Sequence, residues 1–131
     1  MTPDLNAAIA FLARKPRFEA ELRAWLGEDC DELITKLRPY LNDSLTLDTY
    51  VRARHGRNAV GRARMKIELT ERGCPSVLID NVLTNLLPEH ERARALLDAH
   101  RRDLSPRSAR FLVSRGFDEE TVRELIETSS D

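Results

Sequence analysis

Glycine recurs in this chain where helices must stop, and twice it does so in the same surroundings. Leu69-Thr70-Glu71-Arg72-Gly73-Cys74 and Leu112-Val113-Ser114-Arg115-Gly116-Phe117 place Leu and Arg-Gly in register, 43 residues apart. Further on, Val82-Leu83 falls on Leu125-Ile126. Leu22 to Gly27, followed by Asp29 to Leu37, is a looser third copy about 46 residues earlier. A period in the forties that carries helix stops belongs to α-helical repeats, in which each unit buries its apolar face against a neighbour. The expected fold is therefore all-α: three tandem three-helix units forming an elongated, curved array. The expected units are residues 1–43, 44–87 and 88–131. Only 5% of the residues are aromatic, so aliphatic side chains must fill the core.

Taken in order, Thr2-Pro3 is a good helix start, and Leu5, Ala8, Ile9 and Leu12 follow at helical spacing. Pro16 ends that helix. Phe18, Leu22, Trp25 and Leu26 form the next stripe, with Trp25 expected in the core, and Gly27 stops it. Asp29 and Glu32 have the spacing of a capping box for a third helix carrying Cys30, Leu33, Ile34, Leu37 and Leu41 inward, with Pro39 distorting its last turn. A turn at 42–44 precedes a fourth helix, Leu47, Tyr50 and Val51 facing in and Arg52 and Arg54 facing out. The break at 55–58 leads to a fifth helix over 59–72, with Gly61, Met65 and Leu69 on one face, Arg62 and Lys66 on another, and Glu68 spaced to pair with Arg72. Pro75 opens the sixth helix and Pro88 the seventh, where His100 sits on an apolar face as a core or boundary residue. Ser105-Pro106 starts the eighth. Asp118 caps the ninth, with Phe117 and Val122 as a hydrophobic staple and residues 128–131 fraying.

The net charge is −1, but it is unevenly spread. Residues 1–51 carry −3, residues 52–72 carry +5, and residues 73–131 carry −3. A cationic centre between acidic flanks concerns partners rather than fold. The candidate contact residues are Arg52, Arg54, Arg57, Arg62, Arg64 and Lys66, facing an anionic surface. No aromatics interleave with them, so base-specific reading is not expected. Cys30 and Cys74 stand alone and read as buried thiols in a reducing compartment. No membrane span, signal peptide, phosphate loop, nucleophile arrangement or metal-ligand spacing stands out. The acidic groups at 28–32 and 118–120 read as helix starts. The chain is expected to be soluble, cytoplasmic and monomeric, with no catalytic residues, metal or cofactor.

Tyr50-Val51-Arg52-Ala53-Arg54, followed by Gly61, Arg64, Glu68, Leu69 and Gly73, forms an ordered set of motifs. Before it stand Ala20-Glu21-Leu22 and Tyr40-Leu41-Asn42-Asp43; after it come Ser108-Ala109-Arg110-Phe111-Leu112, Arg115-Gly116-Phe117 and Val122. In order and spacing this resembles the RecX family, regulatory proteins that act on the recombinase RecA. The resemblance covers nearly the whole chain. It implies a protein that lodges on the RecA filament on single-stranded DNA, with weak direct contact to DNA. There it would inhibit ATP hydrolysis and strand exchange, in recombination, DNA repair and the SOS response. The residues themselves leave open a second reading, a small helical nucleic-acid-binding protein acting without RecA, and a third, a helical scaffold for another partner.

Overall fold

The computed structural model describes residues 3–129. Among the described residues there is no strand. The α-helices are α1 (Leu5–Arg14), α2 (Glu19–Leu26), α3 (Asp31–Leu37), α4 (Asp43–Ala53), α5 (Arg62–Glu71), α6 (Ser76–Asn85), α7 (Glu89–Ala99), α8 (Pro106–Ser114) and α9 (Glu119–Ser129). Short 3-10 turns follow α3 (Arg38–Tyr40, where Pro39 tightens the chain) and α4 (Gly56–Asn58).

The recurrent glycine has a definite geometry. Gly73 and Gly116 lie just past the ends of α5 and α8 with φ of 82° and 86°. In α5, Gly73 N–H donates to Thr70 and Cys74 N–H to Leu69, at 3.0 Å each. In α8, Gly116 N–H donates to Val113 at 2.9 Å and Phe117 N–H to Leu112 at 3.2 Å. Both are Schellman ends: glycine takes the left-handed slot, and an apolar residue behind it packs on the Leu three positions inside the helix. This explains why the sequence repeats Leu, Gly and an apolar follower together. α7 ends with the same pair of bonds, Arg101 N–H to Asp98 and Arg102 N–H to Leu97, but its left-handed slot holds Arg101 at φ 55°.

Several helix starts differ from the sequence expectation. Thr2 lies outside the described residues; Asp4 caps α1 by accepting from Ala7 N–H at 2.8 Å. Asp29 caps nothing: it is left-handed at φ 58°, and α3 starts two residues later with Asp31 and Glu32 in its first turn. α5 starts at Arg62 rather than 59, because Gly61 N–H is bonded across the molecule to Arg115 O at 2.8 Å. Trp25 is not core: it is 37% exposed, and its indole stacks on Phe11 with centroids 4.3 Å apart. Of the frayed stretch expected at 128–131, α9 still contains 128 and 129, and the last two residues lie outside the described range.

The buried apolar residues fall into three clusters. The first holds Ala8, Phe11, Leu22, Leu26, Cys30, Ile34 and Leu37. The second is built on Leu47, Tyr50, Val60, Met65, Leu69, Cys74 and Ile79, and Phe18 joins it from the start of α2. The third is built on Ala93, Leu96, Leu97, Leu112, Phe117, Val122 and Leu125, and Ala59 joins it from the approach to α5. Fully burying one such Leu is worth about 1.5–3 kcal/mol. The chain exposes 8620 Å², more than the roughly 7000 Å² typical of a compact chain of this mass.

The clusters meet at two junctions of the same design. A Cβ on Gly73 would lie 2.4 Å from Ala20 Cβ of α2, and one on Gly116 would lie 2.2 Å from Arg64 Cβ of α5. In each case the glycine turn abuts the first turn of a helix some fifty residues earlier. At the first junction Arg72 also donates to both carboxylate oxygens of Glu21, at 2.9 and 3.2 Å, and to Pro16 O at 3.2 Å. Arg72 thus pairs with α2, not with Glu68 on its own helix as its spacing suggested. Burial opposes the charge on Glu21, but hydrogen bonds from Arg72 and Phe18 N–H outweigh it and hold the carboxyl below its ordinary value. A carboxylate with a lowered folded pKa adds stability above its unfolded pKa and loses it as pH falls through the folded one. Glu21→Gln is therefore expected to lower stability at pH 7 and to flatten the loss of stability below about pH 4.5, measured by urea melts from pH 3 to 7. An acid limb as steep as that of the unmodified chain would contradict this.

Candidate interaction surface

The six basic residues singled out in the sequence separate into two groups. Arg52, on α4, and Lys66, on α5, are exposed and have no hydrogen-bond or ion-pair partner among the described residues. The other four are held by the protein itself, and three of them by helix ends. Arg57 Nη1 donates to the carbonyl of Ala99, the last residue of α7, at 3.2 Å. Arg64 Nη1 donates to the carbonyl of Ser114, the last residue of α8, at 3.0 Å. Arg62 donates to Leu83, Leu86 and Leu87, the final carbonyls of α6 and its exit, at 3.1 Å each. The last carbonyls of a helix have no partner within it and form the negative end of its dipole, so a guanidinium suits them in hydrogen bonding and in charge.

Arg54 completes the set. Sequence spacing turned it outward; instead it reaches Glu68 Oε2 on α5 at 3.2 Å. That hydrogen bond raises the Arg54 pKa, outweighing partial burial, which acts to lower it. Glu68 also lies 3.7 Å from Arg64, so one carboxylate serves two guanidiniums. Beneath them the Tyr50 hydroxyl is pushed up to about 12, by burial first and by the Glu68 charge second. Arg62 likewise departs from expectation, since it does not share an open face with Lys66 but clamps α5 to the α6–α7 connection.

Sequence spacing missed the most buried of these cations. Arg92 on α7 is only 9% exposed. It donates to Val60 O at 2.6 Å and to Glu89 Oε1 at 2.7 Å. Glu89 in turn lies 3.4 Å from the Arg62 guanidinium and accepts from Arg62 N–H at 3.2 Å. It caps α5, whose own N-cap residue is a glycine without a side chain. The signal was faint but present: Arg92 is four residues before buried Leu96, on the inner stripe of α7. His100 behaves as a satisfied boundary residue, its Nε2 2.9 Å from Arg57 O and its ring edge-on to Phe111. Cys30 and Cys74 are free and buried, and burial pushes the Cys74 thiol up to about 11. Among the described residues no group of three His, Cys, Asp or Glu could hold a metal, and no helix is long and apolar enough to cross a membrane.

The class these features define is an all-helical protein whose distinctive surface is cationic and lies across helix junctions. No family model matches the chain. The regulatory protein RecX of Prosthecochloris aestuarii (strain DSM 271 / SK 413) is 27% identical over 144 residues, covering 94% of this chain and 91% of that protein. The crystal structure of RecX from Lactobacillus salivarius matches with a TM-score of 0.65 at 24% identity, over 95% of this chain and 92% of that one. Likeness in sequence and likeness in fold thus both run to RecX proteins, over nearly the whole chain.

Proposed function

We propose that this chain is a regulator of RecA: it binds the RecA filament on single-stranded DNA and inhibits its ATP hydrolysis and strand exchange. The observation that carries this reading is the likeness to a regulatory protein RecX along nearly the whole of both chains. Three helical units, 1–43, 44–87 and 88–131, joined in series as a curved array give one face that several filament protomers can share. Weak contacts linked in one molecule then add through effective concentration. In this reading the chain acts as a monomer in the cytoplasm, as a binding protein rather than an enzyme.

Within the six-residue set, Arg52 and Lys66 are proposed as the primary partner contacts, because their charge is not shared with an internal acceptor. Arg54, Arg57, Arg62 and Arg64 act in both roles, so substituting them also disturbs the junctions. The test is the ATPase rate of RecA on single-stranded DNA with this protein added. Stoichiometric protein is expected to suppress the rate. Arg52→Glu with Lys66→Glu is expected to weaken suppression by about tenfold in the concentration required, with little change in melting temperature, since exposed substitutions usually shift stability by less than about 0.5 kcal/mol. Unchanged ATPase at stoichiometric amounts would refute the regulator reading; suppression by the double variant at the original concentration would refute the residue assignment alone.

A further inference from the structure

A second cationic segment lies at residues 99–117, hidden in the sequence by the acidic residues around it. It holds Arg101, Arg102, Arg107, Arg110 and Arg115 against the single acid Asp103. None of the five arginines makes an ion pair with a carboxylate of a described residue. This contrasts with the central segment, where Arg54, Arg62, Arg64 and Arg72 all face carboxylates. Arg102 and Arg115 instead lie over the Phe111 ring, 4.2 and 5.3 Å from its centroid.

The fold gathers part of this charge in one place. Arg101, Arg102 and Arg107 line one shallow open depression at the turn from α7 to α8, with Asp103 and Ser105 between them. Asp103 is its only acid; its backbone carbonyl accepts from Ser108 Oγ at 2.6 Å. Arg57, exposed and bonded to Ala99 O, brings a fourth guanidinium beside the turn from more than forty residues earlier. Arg101 occupies the left-handed slot that glycine fills at the two equivalent helix ends. A side chain with a Cβ is disfavoured there, so helix termination by itself does not account for arginine.

We infer that Arg57, Arg101, Arg102 and Arg107 form a contact site for the sugar–phosphate backbone of a nucleic-acid strand. Closely set guanidiniums outnumber the one carboxylate beside them and form no ion pair with it, so they match closely spaced phosphates, each of which can accept a forked pair of hydrogen bonds. The depression offers no exposed aromatic ring for a base and no apolar pocket for a peptide anchor, so the contact is with the backbone and independent of base sequence. The site shares only Arg57 with the six-residue set and needs no recombinase, so variants at Arg101 and Arg107 test it separately from the regulator reading.

The test is fluorescence anisotropy of a labelled single-stranded oligothymidylate titrated with the full chain between 50 and 200 mM salt. Binding is expected to weaken steeply with salt, with a log–log slope of roughly −0.7 per phosphate contact. Arg101→Asn with Arg107→Gln keeps a residue tolerant of the left-handed backbone at the first position. It is expected to lower affinity at 50 mM salt about tenfold and to make the slope shallower by roughly 1.4, two contacts' worth. Arg107→Glu alone, an exposed change that leaves the turn intact, is expected to act in the same direction. Polyglutamate of equal charge is expected to compete poorly. The proposal is overturned if the unmodified chain does not bind the strand at 50 mM salt, or if folded variants keep its affinity and slope. It is overturned equally if polyglutamate competes as well as DNA, or if Arg52→Gln with Lys66→Gln abolishes the salt dependence while the Arg101/Arg107 variant retains it.

Discussion

Gly61→Ala is expected to be among the most damaging single substitutions in this chain, although its backbone is ordinary. Gly61 has φ −69°, which any residue adopts, so the penalty is not one of conformation. It is one of space. An added Cβ would lie 2.0 Å from Gly116 O, 2.2 Å from Gly116 C and 2.4 Å from Phe117 N. All three are backbone atoms of a turn locked by its own helix-ending bonds, and no rotamer change can relieve the clash. The junction must separate, and the 2.8 Å bond from Gly61 N–H to Arg115 O goes with it. Overpacking a rigid site costs about 1–3 kcal/mol and sometimes more; here about 3 kcal/mol is expected, a fall in Tm of roughly 10 °C for a domain of this size. Gly27→Ala is the control. Gly27 has φ 87° and ψ −160° but nothing within 4 Å of its Cβ position, so it isolates the conformational penalty, about 1–3 kcal/mol in a backbone region kept almost wholly to glycine. Thermal melts that place Gly61→Ala within 2 °C of the unmodified chain would contradict the close-junction argument.

The second large effect is expected from Arg92→Ala. Arg92 lies in a mostly dry place, with Val60 O and the Glu89 carboxylate on its guanidinium and Glu89 itself mostly buried. Removing one member of a buried pair leaves the other charge and a carbonyl without compensation, a loss of about 3–5 kcal/mol. Glu89 retains Arg62 at 3.4 Å, which places the expected loss at about 3 kcal/mol, the lower end. Arg62→Ala should follow at about 1–2 kcal/mol: three carbonyls lose a donor, but water can reach the half-exposed site and replace it. Arg52→Ala should be nearly neutral, within about 0.5 kcal/mol. Urea melts of the three variants give the order directly, and an Arg92→Ala protein less than 1 kcal/mol from the unmodified chain would remove the basis for it. The ranking matters for function, because binding defects in Arg62 and Arg92 variants would reflect a disturbed junction, whereas those in Arg52 variants would not.

The helices and their stops were legible because local chemistry fixes them. Leu69 and Leu112 three places inside a helix end, a glycine beyond it and an apolar follower specify a Schellman turn in any context. Proline before α6 and α7, and the stripes at helical spacing, are equally local. The starts of α3 and α5 were not legible. Asp29-to-Glu32 spacing permits a capping box, but the chain turns left-handed at Asp29. The extended stretch before α5 is held by a bond to Arg115, more than fifty residues away. Trp25 shows the same limit: helical spacing put it on the inner stripe, but its large ring finds only Phe11 to cover it and stays partly exposed at the edge of the first cluster.

Charge shows the division most clearly. The sequence by itself determined that the chain is helical, where most of its helices end (α3 stops at Leu37, short of the Leu41 its stripe suggested), and that cations concentrate in the middle. All of these follow from residues within a turn or two of one another, where backbone sterics and side-chain spacing suffice. Only the tertiary structure decided what each cation does. A guanidinium reaches far beyond its own helix, and whether it meets a helix-end carbonyl, a carboxylate or open water depends on how distant segments pack. That packing places Arg57, Arg62 and Arg64 on the ends of α7, α6 and α8, buries Arg92 beneath them, leaves Arg52 and Lys66 free, and gathers Arg101, Arg102 and Arg107 into a patch that the net charge of their surroundings concealed.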